Sequence, residues 1–265
     1  MELIVDSGST KAKWIFTDGE NIIRQEFTTG INAAQLTREE IRKKIGEIDI
    51  RGVQRIRFYG AGCVGGEVNL VVEQELAAAS GCSDVCVNSD IVGAAVGTLG
   101  TRKGIICILG TGANSALWDG EKIVSKINAG GYILGDEGSG AVMGRQLISD
   151  YVKGLTPAWM TDILEEKYGL SYAIVVDKVY RQPMPNRWLA GFAKLLAEHR
   201  QDWYVRDLVS SAFRMFIERN VCRYEGWENL ECAVVGSIGY YFSIEFREVC
   251  SELGVNLQVI KKDPF

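Results

Sequence analysis

The sequence lacks three features: long apolar runs, basic blocks and an N-terminal signal segment. No apolar run reaches the roughly 20 residues of a membrane-spanning helix, so we expect no membrane contact. No basic block occurs, and a net charge of −5 argues against nucleic acid as a partner, because DNA and RNA bind to dense positive charge. No N-terminal basic segment precedes an apolar core, so we predict no signal peptide and a cytoplasmic protein.

Cysteine and histidine motifs are also missing. The seven cysteines are odd in number, form no CxxC pair and mostly lie in apolar runs. This pattern indicates buried free thiols in a reducing compartment, and not disulfides or a zinc site. The one histidine, His199, is interpreted as a surface residue. At 265 residues the chain is long enough for one large domain or two smaller ones.

A unit of strand, glycine turn and strand is present, and it occurs twice. The first copy covers residues 3–17 and the second covers residues 106–118. Each second strand then meets the same Asp-Gly-Glu turn, at residues 18–20 and 119–121. Repetition of structure with little identity is what an old duplication leaves, so we predict two related halves.

Hydrophobic periodicity predicts the same order of elements, βββαβαβα, in both halves. In the first half, strands are predicted at 2–6, 11–17, 21–28, 55–59 and 84–88, and helices at 36–48, 67–80 and from about 89. In the second half, strands are predicted at 104–109, 113–118, 121–127, 231–235 and 255–260, and a helix at 240–253. We therefore predict an α/β protein with domains at residues 1–102 and 103–265, the second with a helical insert at about 138–225.

The first glycine loop carries chemical groups suited to phosphate. Asp6 ends an apolar strand and is followed by Gly8, Ser9, Thr10 and Lys11. Glycine admits phosphate oxygens close to the backbone, and the hydroxyls and the lysine add donors. An aspartate beside such a loop suits Mg²⁺, which prefers carboxylates, water and substrate phosphates. The alternative is an ordinary hairpin turn with a capping aspartate, and the second copy of the loop favours the phosphate interpretation.

Two further glycine turns lie in the second half. Gly110, Thr111 and Gly112 offer backbone amides and a hydroxyl, but no acid and no lysine. Gly236 and Ser237 stand between a predicted strand and helix, where a helix N-terminus favours anions. The two loops are therefore related but differ in charged residues. We expect the metal and the charged phosphate contacts at the first loop, which carries the acid and the lysine.

The segment from Gly130 to Gly140 is the most specific piece of the sequence, and it resembles the Gly-Asp-Glu-Gly-Ser signature of the N-acetylglucosamine kinases and their BadF-type ATPase relatives. The strand, both loops, the signature and the Gly-Ser-Ile turn follow that family's order over nearly the whole chain. The resemblance implies two ribonuclease-H-like (actin-like ATPase) domains, each a mixed five-stranded sheet flanked by helices, with ATP in a cleft between them.

The resemblance also implies roles for single residues. Asp90 matches the catalytic aspartate, and its alternative role is the N-cap of the following helix. The sugar-binding residues implied are Asn32, Gly130, Gly131 and Asp136. The nucleotide-binding residues implied are Asp6, Gly8, Ser9, Thr10, Lys11, Gly110, Thr111, Gly112, Gly236 and Ser237, with Asp6 also holding the metal. Two roles for Glu137 stay open: a residue of the site, or an acid that stabilises the start of a helix.

The activity implied is transfer of the γ-phosphoryl group of ATP to an amino sugar, with Mg²⁺ as cofactor and the 6-hydroxyl of N-acetylglucosamine as the expected acceptor. Phosphoryl transfer needs positioning, charge neutralisation and a carboxylate to accept the proton, which Asp90 would supply. Two alternatives stay open, an ATPase of the BadF type that acts on a partner protein and a sugar sensor without turnover. Members of the family are often dimers, so a homodimer is also compatible with the resemblance.

Overall fold

The computed structural model describes residues 1–265 and divides the chain into two compact units. The first unit contains residues 1–97 together with 263–265, and the second contains residues 98–262. None of the helices combines the length and the apolar character that crossing a membrane requires. The domain division predicted at residue 102 stays a prediction.

The first unit is built on a mixed five-stranded sheet with the order β3-β2-β1-β4-β5. Strand β1 pairs antiparallel with β2 and parallel with β4, and β5 extends the sheet in parallel. The strands are β1 Glu2–Ser7, β2 Lys11–Thr17, β3 Ile22–Thr29, β4 Arg55–Gly60 and β5 Val85–Ser89. The helices are α1 Arg38–Ile45, α2 Gly66–Ser80 and α3 Asp90–Thr98.

The two faces of this sheet differ: one packs against helices in the core, and the other carries Asp6. Leu3 and Val5 alternate along β1 and are fully buried in the core that α1 and α2 cover. The residues between them face the opposite side of the sheet, and this second face carries Asp6. Helix α1 begins with the predicted capping box, in which the Thr37 side chain accepts from the Glu40 amide and Glu40 accepts from the Thr37 amide.

The second unit repeats this sheet, with the order β10-β9-β6-β7-β8. Its strands are β6 Gly104–Leu109, β7 Ala113–Trp118, β8 Ile123–Ile127, β9 Glu231–Val235 and β10 Leu257–Lys261. Its helices are α4 Gly131–Leu134, α5 Gly140–Val152, α6 Ala158–Asp162, α7 Tyr172–Tyr180, α8 Pro185–Ala190, α9 Ala193–Glu198, α10 Trp203–Arg219, α11 Ser237–Tyr241 and α12 Ser243–Leu253. A π-helical turn at Ile163–Lys167 and 3₁₀ turns at Val221–Arg223 and Trp227–Asn229 complete it.

The predicted duplication is visible in the turn geometry as well as in the strand order. Asp18 Oδ1 accepts hydrogen bonds from the amides two and three residues later, at 3.0 and 2.7 Å. Asp119 Oδ1 makes the same pair of bonds at 2.9 and 2.8 Å. The glycine that follows has φ of +106° in one copy and +108° in the other. The two βββ units are therefore built alike down to the side-chain cap of one turn.

The helix predicted at 240–253 differs from the one observed. Helix α11 begins at Ser237, because Gly236, with φ of +120°, already ends the turn before it. The backbone then leaves the helical region at Phe242, and α12 begins at Ser243. Phe242 is buried and packs edge-on toward Phe213 of α10, so tertiary packing breaks the predicted helix in two.

Candidate active site

The first glycine loop is fixed by the segment that follows β3. The Gly8 amide donates to the Lys11 carbonyl at 3.0 Å, which closes the turn between β1 and β2. The buried hydroxyl of Ser7 accepts from the Ile31 amide at 2.8 Å and donates to the Ile31 carbonyl at 3.2 Å. Gly30 packs so tightly that a Cβ there would lie 2.1 Å from the Gly8 carbonyl oxygen. The loop is thus held in one shape by a neighbour distant in sequence.

Asn32 reaches the first loop and carries an unused acceptor. Its Nδ2 donates to Ser9 Oγ at 2.8 Å. Its Oδ1 is buried and has no hydrogen-bond partner. A Cβ at Gly62 would lie 2.2 Å from this oxygen, so only a glycine at position 62 leaves enough space for it. Buried acceptors are nearly always paired in folded proteins, so the unpaired Oδ1 of Asn32 is an exception.

Asp6 lies on the second face of the sheet among charged neighbours. Lys13 of β2 is its register partner across the antiparallel pair. Burial, together with the carboxylates of Asp263 and Asp90, raises the pKa of Asp6 to about 7, and the Lys13 ammonium opposes the shift. The structure therefore brings the predicted metal residue and the predicted base close together, and it adds two charged residues that the sequence did not reveal.

Asp90 stands where β5 passes into α3. Its Oδ1 accepts a hydrogen bond from the Ile91 amide at 2.8 Å, so the side chain contributes to the start of the helix. The residue is partly exposed. The capping role and a role as proton acceptor are compatible, because a carboxylate has further lone pairs for a second contact.

The donor set around Asp6 fits magnesium better than a metal held by protein ligands alone. No group of three or more potential metal-ligating side chains occurs in the structure. Mg²⁺ commonly takes one or two carboxylates, several waters and substrate phosphates, and the Asp6 carboxylate beside the loop can supply the protein ligand. Burial contributes most to the raised pKa of Asp6, and a divalent cation would offset the further contribution of the Asp263 and Asp90 carboxylates.

Thr10 and Lys11 form the exposed rim of the first loop. The Lys11 ammonium lies 3.8 Å from the centroid of the Phe27 ring on β3. This is a cation–π contact of modest strength, about 0.5–1 kcal/mol at an exposed site, so the side chain can leave the ring for a stronger anionic partner.

The second glycine loop is tied to the start of helix α5. The Gly110 amide donates to the Gly112 carbonyl at 2.9 Å. The Gly140 amide donates to the Gly110 carbonyl at 2.9 Å, and the Ala141 amide donates to the Thr111 carbonyl at 3.1 Å. Two amides in the first turn of this helix, which would otherwise lack partners, are therefore used to shape the loop.

Asp136 packs against this second loop in a left-handed conformation. Its φ is +52°, which is uncommon for a residue with a side chain. Its Oδ1 accepts from the Ala113 amide at 3.2 Å, and a Cβ at Gly112 would lie 2.9 Å from its Oδ2. Burial raises the pKa of Asp136, and the Ala113 hydrogen bond lowers it in part. Strain of this kind is characteristic of functional positions.

Gly130 and Gly131 lie in a tight exposed loop that ends at Asp136. Gly130, with φ of +75°, precedes the short helix α4, and the Gly135 amide donates to the Gly131 carbonyl at 2.8 Å. Arg145 of α5 holds the loop from outside, donating to the Tyr132 carbonyl at 2.5 Å. The structure places both glycines in the loop that carries Asp136.

Glu137 takes part in an ion pair. Its carboxylate is largely buried and pairs with Arg219 of α10 at 3.0 Å. This ion pair connects the signature segment to the longest helix of the second unit. The ion pair supports a structural role for Glu137, which stays an interpretation.

A cavity of about 550 Å³ lies beside the second loop, wholly within the second unit. It is within the usual size range of small-molecule sites, about 300–1,000 Å³. Its walls are formed by the second loop, by α11 and by the helical insert, through Gly110, Thr111, Ala190, Gly191, Ala193, Lys194, Ala197, Glu198, Ser237, Ile238, Tyr241 and Phe242. The structure thus brings the second loop and the third glycine turn together at one cavity.

The wall from the helical insert was missed in the sequence. A signal for it exists in the small residues Ala190, Ala193 and Ala197, which follow one another at helical spacing and in the structure lie at the end of α8 and along α9. Lys13 and Asp263 near Asp6 were missed as well. Lys13 could have been found from the hairpin register, because the turn at residues 8–10 places it opposite Asp6.

We predict that Gly236→Ala weakens nucleotide binding at least about tenfold. A Cβ at this position, where φ is +120°, would lie 2.3 Å from the Leu109 carbonyl oxygen, so the turn must move away from the second loop. The measurement is calorimetric titration with ADP.

Gly254→Ala is the matched control, since Gly254 also has a positive φ, +74°, but an added Cβ would meet no atom within 4 Å. Equal losses of ADP affinity in both variants would mean that general backbone strain, and not the position of the turn, controls binding.

No family model matches the chain. The chain is 37% identical to a solved candidate N-acetylglucosamine kinase from Porphyromonas gingivalis, with a TM-score of 0.92 over 100% of this chain and 95% of the other. The chain belongs to the N-acetylglucosamine kinase family, of the BadF/BadG/BcrA/BcrD type. The resemblance found in the sequence is thereby confirmed.

Two further proteins resemble this chain, one in sequence and one in fold. An N-acetylmuramic acid/N-acetylglucosamine kinase of Clostridium acetobutylicum is 25% identical over 223 residues, which are 78% of this chain and 72% of that protein. A ROK family glucokinase of Streptomyces griseus, solved with glucose and AMPPNP, is 14% identical with a TM-score of 0.57 over 98% and 94% of the two chains. The second likeness concerns the fold alone, and it confirms the predicted actin-like ATPase class.

Proposed function

We propose that the protein is an ATP-dependent kinase that phosphorylates the 6-hydroxyl of N-acetylglucosamine. The sugar oxygen attacks the γ-phosphorus, the bond from that phosphorus to the β–γ bridging oxygen breaks, and ADP leaves with the bond electrons. The proton of the hydroxyl passes to a carboxylate oxygen of Asp90. The products are the sugar 6-phosphate and ADP.

The observation that carries the proposal is the cavity shared by the second loop and the third glycine turn, in a chain of this family. Gly110, Thr111 and Ser237 line it, and all three belong to the predicted nucleotide set. The apolar wall from the helical insert suits an adenine ring, and the loop amides suit phosphate.

The proposed sugar-binding side chains are oxygen acceptors. Asn32 has a buried Oδ1 without a partner, and Asp136 has a partly buried carboxylate. Both would accept hydrogen bonds from sugar hydroxyls, and carboxylate acceptors make the stronger bonds. Gly130 and Gly131 would let the sugar approach the backbone, because neither carries a side chain.

Magnesium is the proposed metal, and it would neutralise charge on the transferring phosphoryl group when bound. Asp6 would hold it, directly or through water, while Gly8, Ser9, Thr10 and Lys11 bind phosphate oxygens. We also place the reaction in the cytoplasm, which agrees with seven free cysteines, and retain the homodimer as a proposal.

The test is release of ADP from Mg·ATP with and without a panel of sugars. We expect release that depends on N-acetylglucosamine and exceeds that with glucose, N-acetylmannosamine or N-acetylmuramic acid. Hydrolysis at the same rate without sugar would point to an ATPase of the BadF type. Tight sugar binding without turnover would point to a sensor.

A further inference from the structure

Three side chains form a row across the second face of the first sheet. Asp6 of β1 pairs with Lys13 of β2 on one side and with Tyr59 of β4 on the other. Residues directly opposite in adjacent strands point to the same face and lie about 5 Å apart. Lys13 and Tyr59 therefore flank the Asp6 carboxylate on that face.

Phe265 touches both ends of this row. Its ring stacks on the Tyr59 ring, with centroids 5.3 Å apart and planes 26° from parallel. Its carbonyl oxygen accepts a hydrogen bond from Lys13 Nζ at 2.6 Å. One residue, 252 positions away from Lys13 in the sequence, thus contacts both the lysine and the tyrosine that flank Asp6.

Helix α3 is shaped to admit the segment that carries Phe265. A Cβ at Gly93 would lie 2.6 Å from the Tyr59 side chain, and a Cβ at Gly97 would lie 2.5 Å from the Pro264 carbonyl oxygen. Pro264 is itself buried. Two helical glycines, each costing about 1 kcal/mol relative to alanine, are therefore used for close approach of β4 and of residues 263–265.

We propose that the segment Asp263–Phe265 is a positioning element of the phosphate site, and that Phe265 acts by holding the Lys13 ammonium beside Asp6. A free lysine side chain has many rotamers, and a hydrogen bond to a fixed carbonyl selects one. The held ammonium offsets the negative charge of Asp6, Asp90 and Asp263, where nucleotide phosphates bind in the proposed function. The inference rests on that function for the ligand, but it concerns binding and not turnover.

The experiment compares ADP with adenosine, because only ADP carries the phosphates that would sense Lys13. Calorimetric titrations are made on the full chain for wild type, Phe265→Ala, Lys13→Gln and the double variant. We expect each single variant to weaken ADP binding about tenfold and to leave adenosine binding unchanged. Phe265→Ala keeps the main-chain oxygen but removes the ring that fixes it through Tyr59, so it should release Lys13. The double variant should therefore lose no more than either single one.

A second pair of variants displaces the segment without changing it. Gly97→Ala places a Cβ against the Pro264 carbonyl and should weaken ADP binding, whereas Val96→Ala, at a partly exposed neighbour on the same helix, should not. Phe265→Tyr keeps the aromatic ring that Phe265→Ala removes, and it should keep wild-type ADP affinity. These variants separate a local effect from a loss of folding, which melting temperatures monitor.

Several outcomes would overturn the inference. Equal loss of ADP and adenosine affinity would indicate a general structural role for Phe265. Additive losses in the double variant would show that Phe265 does not act through Lys13. Wild-type ADP binding no tighter than adenosine binding would mean that no phosphate site exists. A sugar panel without turnover, combined with the expected ADP losses, would leave this inference standing and reject only the kinase proposal.

Discussion

Asp90→Asn is expected to lower kcat by about a hundred- to ten-thousand-fold, the usual contribution of a general base. The amide has no basic oxygen to take the proton of the sugar hydroxyl. In the wild type the Ile91 amide donates a hydrogen bond to Asp90 Oδ1 at 2.8 Å. The asparagine side chain keeps an oxygen that can accept this bond, so the first turn of α3 should stay folded. The measurement is steady-state turnover with saturating Mg·ATP and N-acetylglucosamine.

The binding measurements decide what such a loss means. Affinities for ADP and for the sugar should stay within about threefold of wild type, because the substitution preserves size and the helix cap. If Asp90→Asn turns over at the wild-type rate, Asp90 is only a helix cap. If sugar affinity collapses together with kcat, the residue binds the acceptor and its role as base is unproven.

Asp136→Asn is expected to raise the KM for the sugar by about 10- to 100-fold. A hydrogen bond from a hydroxyl to a charged acceptor contributes about 1.5–3 kcal/mol, more than a neutral amide supplies. Asparagine tolerates the left-handed φ of +52° and can accept from the Ala113 amide, so the loop should keep its shape. The measurement is the KM for N-acetylglucosamine, with the KM for ATP as the internal reference.

The sugar KM of the wild type should also depend on pH, because Asp136 is titratable. Burial raises the pKa of Asp136, and the charged form is the better acceptor. In wild type the sugar KM should therefore rise as pH falls, beginning above the pH at which an ordinary aspartate, with a pKa of about 3.9, is protonated. The Asn variant should show no such rise.

Glu137→Gln is the matched control, since Glu137 pairs with Arg219 and should affect melting temperature without changing the sugar KM. A rise in sugar KM as large as that of Asp136→Asn would assign the effect to the loop as a whole.

The sheets and the repeat could be predicted from the sequence because their signals are local. Alternating burial along β1, the capping box at Thr37 and the two Asp-Gly-Glu turns each involve neighbours in the chain. Local signals also placed Asp6 at a strand end and Asp90 at a helix start. The break at Phe242 could not be predicted in this way, because its cause is packing toward Phe213 in another helix.

The charged residues around the site could not all be predicted either, because several of them come from distant parts of the sequence. Phe265 meets Lys13 across 252 positions, and Asp263 lies near Asp6 although nothing in the sequence links them. The cavity wall from α9 likewise depends on how the helical insert folds back on the second loop. Sequence patterns identify residue types at a site, whereas the charge balance depends on contacts that only the folded chain defines.

The two amides that α5 donates to the second glycine loop have a thermodynamic consequence. Since Gly140 and Ala141 already hold the carbonyls of Gly110 and Thr111, the loop is ordered when the domain folds. A ligand that meets it need not supply the free energy for ordering, which for a flexible loop subtracts from affinity. Conversely, any event that reshapes the loop must open the first turn of a 13-residue helix. The loop therefore behaves as a rigid template, and adaptation to different ligands must come from other parts of the protein.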